Sequence, residues 1–140
     1  MARIKLTLPD TFIFKTEIPV RISDINYGNH LSNDAFLTLM HEARMQFLKH
    51  FDYTEMNMAG VSLIMADAAI VFKKECFYGD VLIIEITASD FGTRNFDLYY
   101  RFTKKATNEL ACEAKTGMVC FDYNERKTTE VPEVFKNLFA

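Results

Sequence analysis

The sequence predicts an α+β fold: one antiparallel sheet packed on one long helix. Three observations lead there. Residues 34–51, DAFLTLMHEARMQFLKHF, repeat apolar side chains at helical spacing. Five other segments carry strand patterns, with a hairpin connection between the last two. Their order is strand, helix, then four strands in succession, which suits antiparallel pairing and not alternating βα units.

The first strand is residues 14–22, where Ile18, Val20 and Ile22 share one face and Glu17, Pro19 and Arg21 the other. Pro19 cannot donate a ladder hydrogen bond, which puts this strand at a sheet edge. In the helix, Phe36, Leu39, Met40, Ala43, Phe47 and Phe51 form the apolar stripe, with Ser32 or Asn33 as the N-cap and Asp34 at the positive end of the dipole. Asp34, Thr38, His41, Glu42 and Lys49 fall in a polar sector, with Gln46 at its border and Met45 as its apolar exception. Glu42 reads as a solvated helix-face charge.

Residues 60–74, GVSLIMADAAIVFKK, are apolar at both parities, which predicts a strand covered on both sides. Strict alternation puts Val61, Leu63, Met65, Ala69 and Val71 on one face and Ile64, Ala66, Ala68, Ile70 and Phe72 on the other. Tyr78-Gly79-Asp80 is a turn. Strands follow at 81–89, 95–104 and 109–123, with residues 106–109 as the hairpin connection. In the middle one, Phe96, Leu98, Tyr100 and Phe102 alternate with mostly polar residues, so one face is expected to be wet. Residues 132–139 fit a short final helix. A sheet around a long apolar helix describes a hotdog fold, although other α+β sheets share the pattern.

Composition narrows the function classes. The chain has 140 residues, which fits a single domain spanning 1–140, with 49% hydrophobic residues and 13 Phe to fill a core. A net charge of -3 and a pI near 5.6 give no basic footprint for nucleic acid. The cysteines, Cys76, Cys112 and Cys120, are odd in number and sit in apolar runs, which reads as buried free thiols in a reducing compartment. No metal-ligand spacing and no dinucleotide or phosphate-loop glycine pattern occurs. The start, MARIKLTLPD, lacks a signal peptide's apolar core, and no apolar run reaches the ~20 residues of a membrane span. A soluble, cytoplasmic protein is expected.

The densest polar chemistry lies between the first strand and the helix, in SDINYGNHLSND, residues 23–34. A helix N-terminus offers backbone donors to developing negative charge, His30 is a base or water-orienting group, and Asn26 can position a water without taking its proton. Gly28 suggests a backbone position with positive φ or a close ligand approach. Asp67 is the other anomaly. It is the only ionisable residue between Leu63 and Phe72, and a dry site would raise its pKa towards a general base's range. An ion pair with His30 or Arg44, or a place at a dimer seam, is the structural alternative.

The stretch RISDINYGNHLSNDAFLTLMHEAR resembles the signature of 4-hydroxybenzoyl-CoA thioesterase-like hotdog proteins. In that signature D-x-D-x-x-G-H-x-N-N precedes a helix carrying E-A-R, and the later Gly79-Asp80 matches a turn before the third strand. The resemblance implies a five-stranded hotdog sheet wrapped around the helix, acyl-CoA hydrolysis without metal or organic cofactor, and a homodimer or dimer of dimers paired through the second strand. By position, Asp24 matches the first family aspartate. Asn26 stands where many members have the catalytic carboxylate, His30 is the motif histidine, and Asn33 lies where a backbone N–H polarises the thioester carbonyl. Asp67 at the dimer seam would supply the carboxylate missing at position 26. The loop also resembles that of plant acyl-carrier-protein thioesterases, which combines Asp, Asn and His. Asp24, Tyr27 and Gly28 are expected to contact substrate, and Arg94 and Lys115 are candidates for the coenzyme A phosphates. Two other readings compete. A hydratase or dehydratase motif, D-x-N-P-x-H, shares Asp, Asn and His but has a proline that DINYGNH lacks. A non-catalytic acyl-thioester binder is favoured by the amide at position 26.

Overall fold

The computed structural model describes residues 2–140. Its elements are β1 (Phe14–Pro19), a 3-10 turn (Ile22–Asp24), α1 (Asn33–His50), β2 (Ser62–Phe72), β3 (Val81–Ser89), β4 (Asn95–Lys104), β5 (Leu110–Asp122), β6 (Lys127–Thr128), α2 (Glu133–Lys136) and a closing 3-10 turn (Asn137–Phe139). All pairings are antiparallel. The strand order is β1-β3-β4-β5-β2, with β6 paired to the end of β5. The sheet therefore has six strands and not five. The extra one is a two-residue return of the chain after the turn at 123–126, too short to leave a periodicity. Nor is the helix long beside its sheet. Its 18 residues span about 27 Å, whereas the 13 residues of β5 span about 43 Å.

One sheet face packs on α1. Leu82, Ile84 and Ile86 of β3, Phe96, Leu98, Tyr100 and Phe102 of β4, and Cys112, Ala114, Thr116, Met118 and Cys120 of β5 are all essentially inaccessible. The helix meets them with Phe36, Leu39, Met40, Ala43, Phe47 and Leu48. Each such large side chain contributes roughly 1.5–3 kcal/mol by leaving water. The phenylalanines gather at the far end, where Phe139 of the closing turn packs on Phe47 and Phe91, and Phe135 of α2 packs on Phe91, Phe96 and Phe139. The final helix expected over 132–139 is thus a four-residue helix followed by a 3-10 turn. Arg44 is buried as well. Its Nη1 donates to the Tyr100 hydroxyl at 3.1 Å, Tyr100 shares a hydrogen with Thr116 at 2.8 Å, and Glu55 lies 3.5 Å from its Nε. That cluster ties the helix to the sheet and to the loop before β2.

β1 is an edge strand, as Pro19 implied, but it ends at that proline, and Ile22 is exposed in the 3-10 turn instead of sharing a strand face. The outer face of β4 is drier than expected. Tyr99 is buried there, and Phe12 of the N-terminal segment lies under the Arg101 guanidinium at 4.5 Å.

β2 is the other edge, and it departs most from the sequence pattern. It is not covered on both sides, because Ile64 to Ala68 are exposed. Its register against β5 shifts between Met65 and Asp67, leaving Ala66 as a bulge. One extra residue exchanges the faces of everything beyond it. By register, Leu63, Met65, Ala68, Ile70 and Phe72 share the helix-side face, while Ile64, Asp67, Ala69 and Val71 share the outer one. Strict alternation assigned Ala68 to Phe72 the wrong partners.

Candidate functional site

The loop between β1 and α1 is a small hairpin held by its own polar groups. Arg21 and Asp24 cap each other across the 3-10 turn. The Asp24 backbone N–H donates to the Arg21 carbonyl at 2.9 Å, and the Asp24 carboxylate accepts from the Arg21 N–H at 2.8 Å. The Ser32 N–H donates to the Asp24 carbonyl at 3.2 Å, Ile25 bridges Leu31, and the Asn26 N–H donates to the His30 carbonyl at 3.0 Å. Asp24 is buried, so its side chain shapes this loop and does not reach out to a ligand. Tyr27, at the tip, is fully exposed.

Asn29, and not Gly28, takes the positive φ of 66°. Gly28 is needed for a different reason. A Cβ there would lie 3.2 Å from Asn26 Oδ1 and 3.3 Å from His30 Nε2, so glycine lets these two side chains close over the same backbone atom. Asn26 Oδ1 accepts the Gly28 N–H at 2.9 Å, which fixes the amide and leaves its NH2 directed elsewhere. His30 Nδ1 lies 3.4 Å from the Leu31 carbonyl; a proton on Nδ1 leaves Nε2, on the Asn26 side, free to accept one.

Ser32 caps α1, its hydroxyl accepting the Ala35 N–H at 3.3 Å. Among the described residues, the N–H groups of Asn33 and Asp34 donate to no protein acceptor, as first-turn amides are left to do. They stand at the positive end of the helix dipole.

The other wall comes from the chain leaving β2. Lys73 and Lys74 both donate their N–H groups to the Ala111 carbonyl, at 2.9 and 3.2 Å, and the chain then turns under the hairpin. There the Leu31 N–H donates to the Cys76 carbonyl at 2.7 Å, and His30 bridges Phe77. The turn after it is closed by Asp80, whose carboxylate accepts the Phe77 N–H at 2.9 Å, with Gly79 at φ 88°. The result is a cleft of about 280 Å³ lined by His30, Leu31, Asn33, Phe36, Phe72, Lys73, Lys74 and Glu75. It joins an apolar floor, an imidazole and a helix N-terminus. Lys73 and Lys74 were not singled out from sequence; the visible signal was a pair of cations closing an apolar strand.

Three other expectations part from the structure. Asp67 is not a buried acid with a raised pKa. Its side chain is 64% exposed, and a hydrogen bond from Lys115 at 2.9 Å is the main cause that lowers its pKa. The Gly117 N–H donates to the same oxygen at 2.9 Å, and a side chain at Gly117 would collide with it. The bulge at Ala66 is the physical reason, since it turns Asp67 to the outer face, away from His30 and Arg44. Lys115 is on that face too, held between Asp67 and Asp97, the latter at 3.5 Å. Arg94 is tied to β6, its Nη1 donating to the Thr128 carbonyl at 2.9 Å. Arg94 meets β5 at Cys120 and Phe72 meets it at Cys112. Those eight residues correspond to roughly 26 Å of strand, so Arg94 is far from the cleft.

Burial raises the thiols of Cys76 and Cys120 to about 11 and that of Cys112 to about 12, and all three are free. Among the described residues no group of three or more His, Cys, Asp or Glu could hold a metal, and no helix is long and apolar enough to cross a membrane.

The chain is similar to the 1,4-dihydroxy-2-naphthoyl-CoA hydrolase of Synechocystis sp., with 25% identity over 123 residues, 86% of this chain and 89% of that protein. Its fold is similar to that of a 1,4-dihydroxy-2-naphthoyl-CoA thioesterase from Synechocystis, with a TM-score of 0.81, 23% identity, and coverage of 90% of this chain and 94% of that one. It is also similar to that of a Staphylococcus aureus protein in complex with CoA, with a TM-score of 0.78, 16% identity, and coverage of 95% and 84%. At such identities the likeness to solved structures establishes the shared hotdog-type fold. The sequence match to a family model is broader in meaning, for it runs over residues 20–139 and takes in the hairpin, the helix and every strand after β1. The chain belongs to the Thioesterase-like superfamily.

Proposed function

We propose that the chain is a thioester hydrolase acting on acyl-CoA at the cleft between the 23–34 hairpin and the end of β2. One observation carries the reading: His30 and the free first-turn amides of α1 meet at a single cleft, with Asn26 fixed beside His30. The family membership, the 4-hydroxybenzoyl-CoA thioesterase-like signature, and the CoA named for the relatives support it.

In this mechanism the thioester carbonyl oxygen faces the N–H of Asn33. A water held by Asn26 and His30 Nε2 attacks the carbonyl carbon, and Nε2 takes its proton. The tetrahedral oxyanion forms against amides already oriented before the reaction; a donor of this kind is worth about 10²–10³ in rate. The C–S bond then breaks, and the thiolate takes the proton back from the imidazolium, leaving free acid and CoA thiol. Asp24 holds the hairpin in shape, and Tyr27 is exposed at its tip. No step needs a metal or organic cofactor. The amide at position 26 orients the water without acting as the base.

The working unit in this reading is a homodimer or dimer of dimers joined through β2, in the cytoplasm, where free cysteines persist. An edge strand with Ile64 and Met65 exposed, and with exposed Leu37 of α1 beside Met65, is a surface that a second copy would cover. Thiol release from a panel of short, long and aromatic acyl-CoAs tests the activity. Catalysed release of CoA thiol from at least one of them is expected. Tight binding without release would make the chain a binder, and loss of an enoyl chromophore without thiol would make it a hydratase.

A further inference from the structure

The proposed reaction makes a cation where the cleft resists one. When His30 Nε2 takes the water's proton, the ring becomes an imidazolium. Lys73 and Lys74 line the same cleft, and the positive end of the α1 dipole faces it. Each opposes a further positive charge. Lys73 is 3.8 Å from Glu113 and Lys74 is 3.5 Å from Glu109, with side chains 43% and 58% exposed. Pairs this long and this wet neutralise the lysines only weakly.

Glu75 is the one acid among the residues lining the cleft. Its direction follows from the bridge between the hairpin and residues 76–77. His30 pairs there with Phe77 in the antiparallel sense, which puts Leu31 opposite Cys76 and Ser32 opposite Glu75. Side chains alternate across such a ladder. Leu31 and Cys76 are buried in the core, so His30, Ser32, Glu75 and Phe77 share the other face. Glu75 is then the diagonal neighbour of His30, about 7–8 Å away along that face and within reach of a side chain of its length. The other acids nearby are committed or turned elsewhere. The Asp24 carboxylate accepts the Arg21 N–H, the Asp80 carboxylate accepts the Phe77 N–H, and Asp34 of the first helical turn does not line the cleft. With both cleft lysines turned to Glu109 and Glu113, Glu75 is left without an ion pair among the described residues.

We infer that Glu75 is a positioning carboxylate for this reaction, holding the imidazolium that forms on His30. The inference rests on the proposed hydrolase reading and adds the charge that lets His30 serve as its base. The proton's route is unchanged. It passes from water to Nε2 and on to the thiolate, and Glu75 stays ionised throughout. Position 26 holds an amide, and Glu75 supplies the negative charge from the opposite wall of the cleft.

Two measurements test this. The first needs no turnover. In isotope-labelled protein at low salt, the ring nitrogen signals of His30 across about pH 5 to 8 report how much of it is charged. Glu75→Gln should shift them towards the neutral form, Glu75→Asp should shift them less, and ~1 M salt should shrink the difference. The same signals in wild type and Glu75→Gln overturn the inference. The second is a double-mutant cycle on an acyl-CoA. Glu75→Gln should lower kcat about tenfold, the scale of one unit charge acting over this distance in a partly wet cleft. Glu75→Asp should recover part of that loss. Beside His30→Ala, Glu75→Gln should move kcat by less than about twofold, because no imidazolium forms. A tenfold loss that persists without His30, or no loss with it, overturns the inference. A wild type that cleaves no thioester overturns the hydrolase reading alone, and the ring signals still decide the role of Glu75.

Discussion

At its Phe72 end, β2 runs into a cleft with His30, Asn33 and two loosely held lysines; in its middle, beyond the bulge, Asp67 lies on the opposite face in a closed pair with Lys115. Both places hold polar groups beside an apolar strand. At the cleft, two helix amides have no protein acceptor and His30 Nε2 is turned to the Asn26 side. At Asp67, one carboxylate oxygen already takes a lysine and a backbone amide. Unspent hydrogen-bonding capacity in a concave place marks a candidate site better than an ionisable residue within an apolar run does.

The contrast breaks first at His30. His30→Ala should lower kcat on a cleaved acyl-CoA by about 10² or more, because the water then loses its base. Light scattering should give a dimer or larger species for the wild type at micromolar concentration, and Met65→Lys, on the exposed edge, should shift it towards monomer. A wild-type monomer would remove the proposed interface. Gly28→Ala should cost about tenfold in kcat while the far-UV spectrum stays unchanged, since the new methyl would press on Asn26 and His30 and displace groups that need accurate placement. Asp67→Asn should change kcat by no more than about threefold, a surface substitution's scale. Its lowered pKa gives a separate sign. The Lys115 bond stabilises the fold above the ordinary carboxylate pKa and is lost as pH falls through the lowered value, so any difference in Tm between Asp67→Asn and wild type at neutral pH should close in acid.

Much of the architecture was legible in the sequence because periodicity reports burial. The helix over Asn33–His50 and strands β3 to β5 follow from it, and Pro19 marked β1 as an edge. In the loop, the close approach at Gly28 was legible, but the hairpin bonds between residues 24–26 and 30–32 were not, since they rest on pairing across the turn. Nor was the bulge at Ala66. It rests on pairing with β5, and alternation within one strand carries no record of an unpaired residue. That single residue accounts for the reversed face of Asp67. The cleft's second wall was hidden for a similar reason, since Lys73 and His30 become neighbours only through bonds between the hairpin and residues 76–77.

The most direct test of the hairpin chemistry is the kinetics of Asn26→Ala beside Asn26→Asp on one acyl-CoA. The account predicts that Asn26→Ala lowers kcat by about 10² with KM nearly unchanged, because the lost contact is to the attacking water and not to the substrate. It predicts that Asn26→Asp keeps or raises activity and makes it less dependent on His30. Asn26→Ala turning over at the wild-type rate would leave position 26 a turn residue and contradict the mechanism.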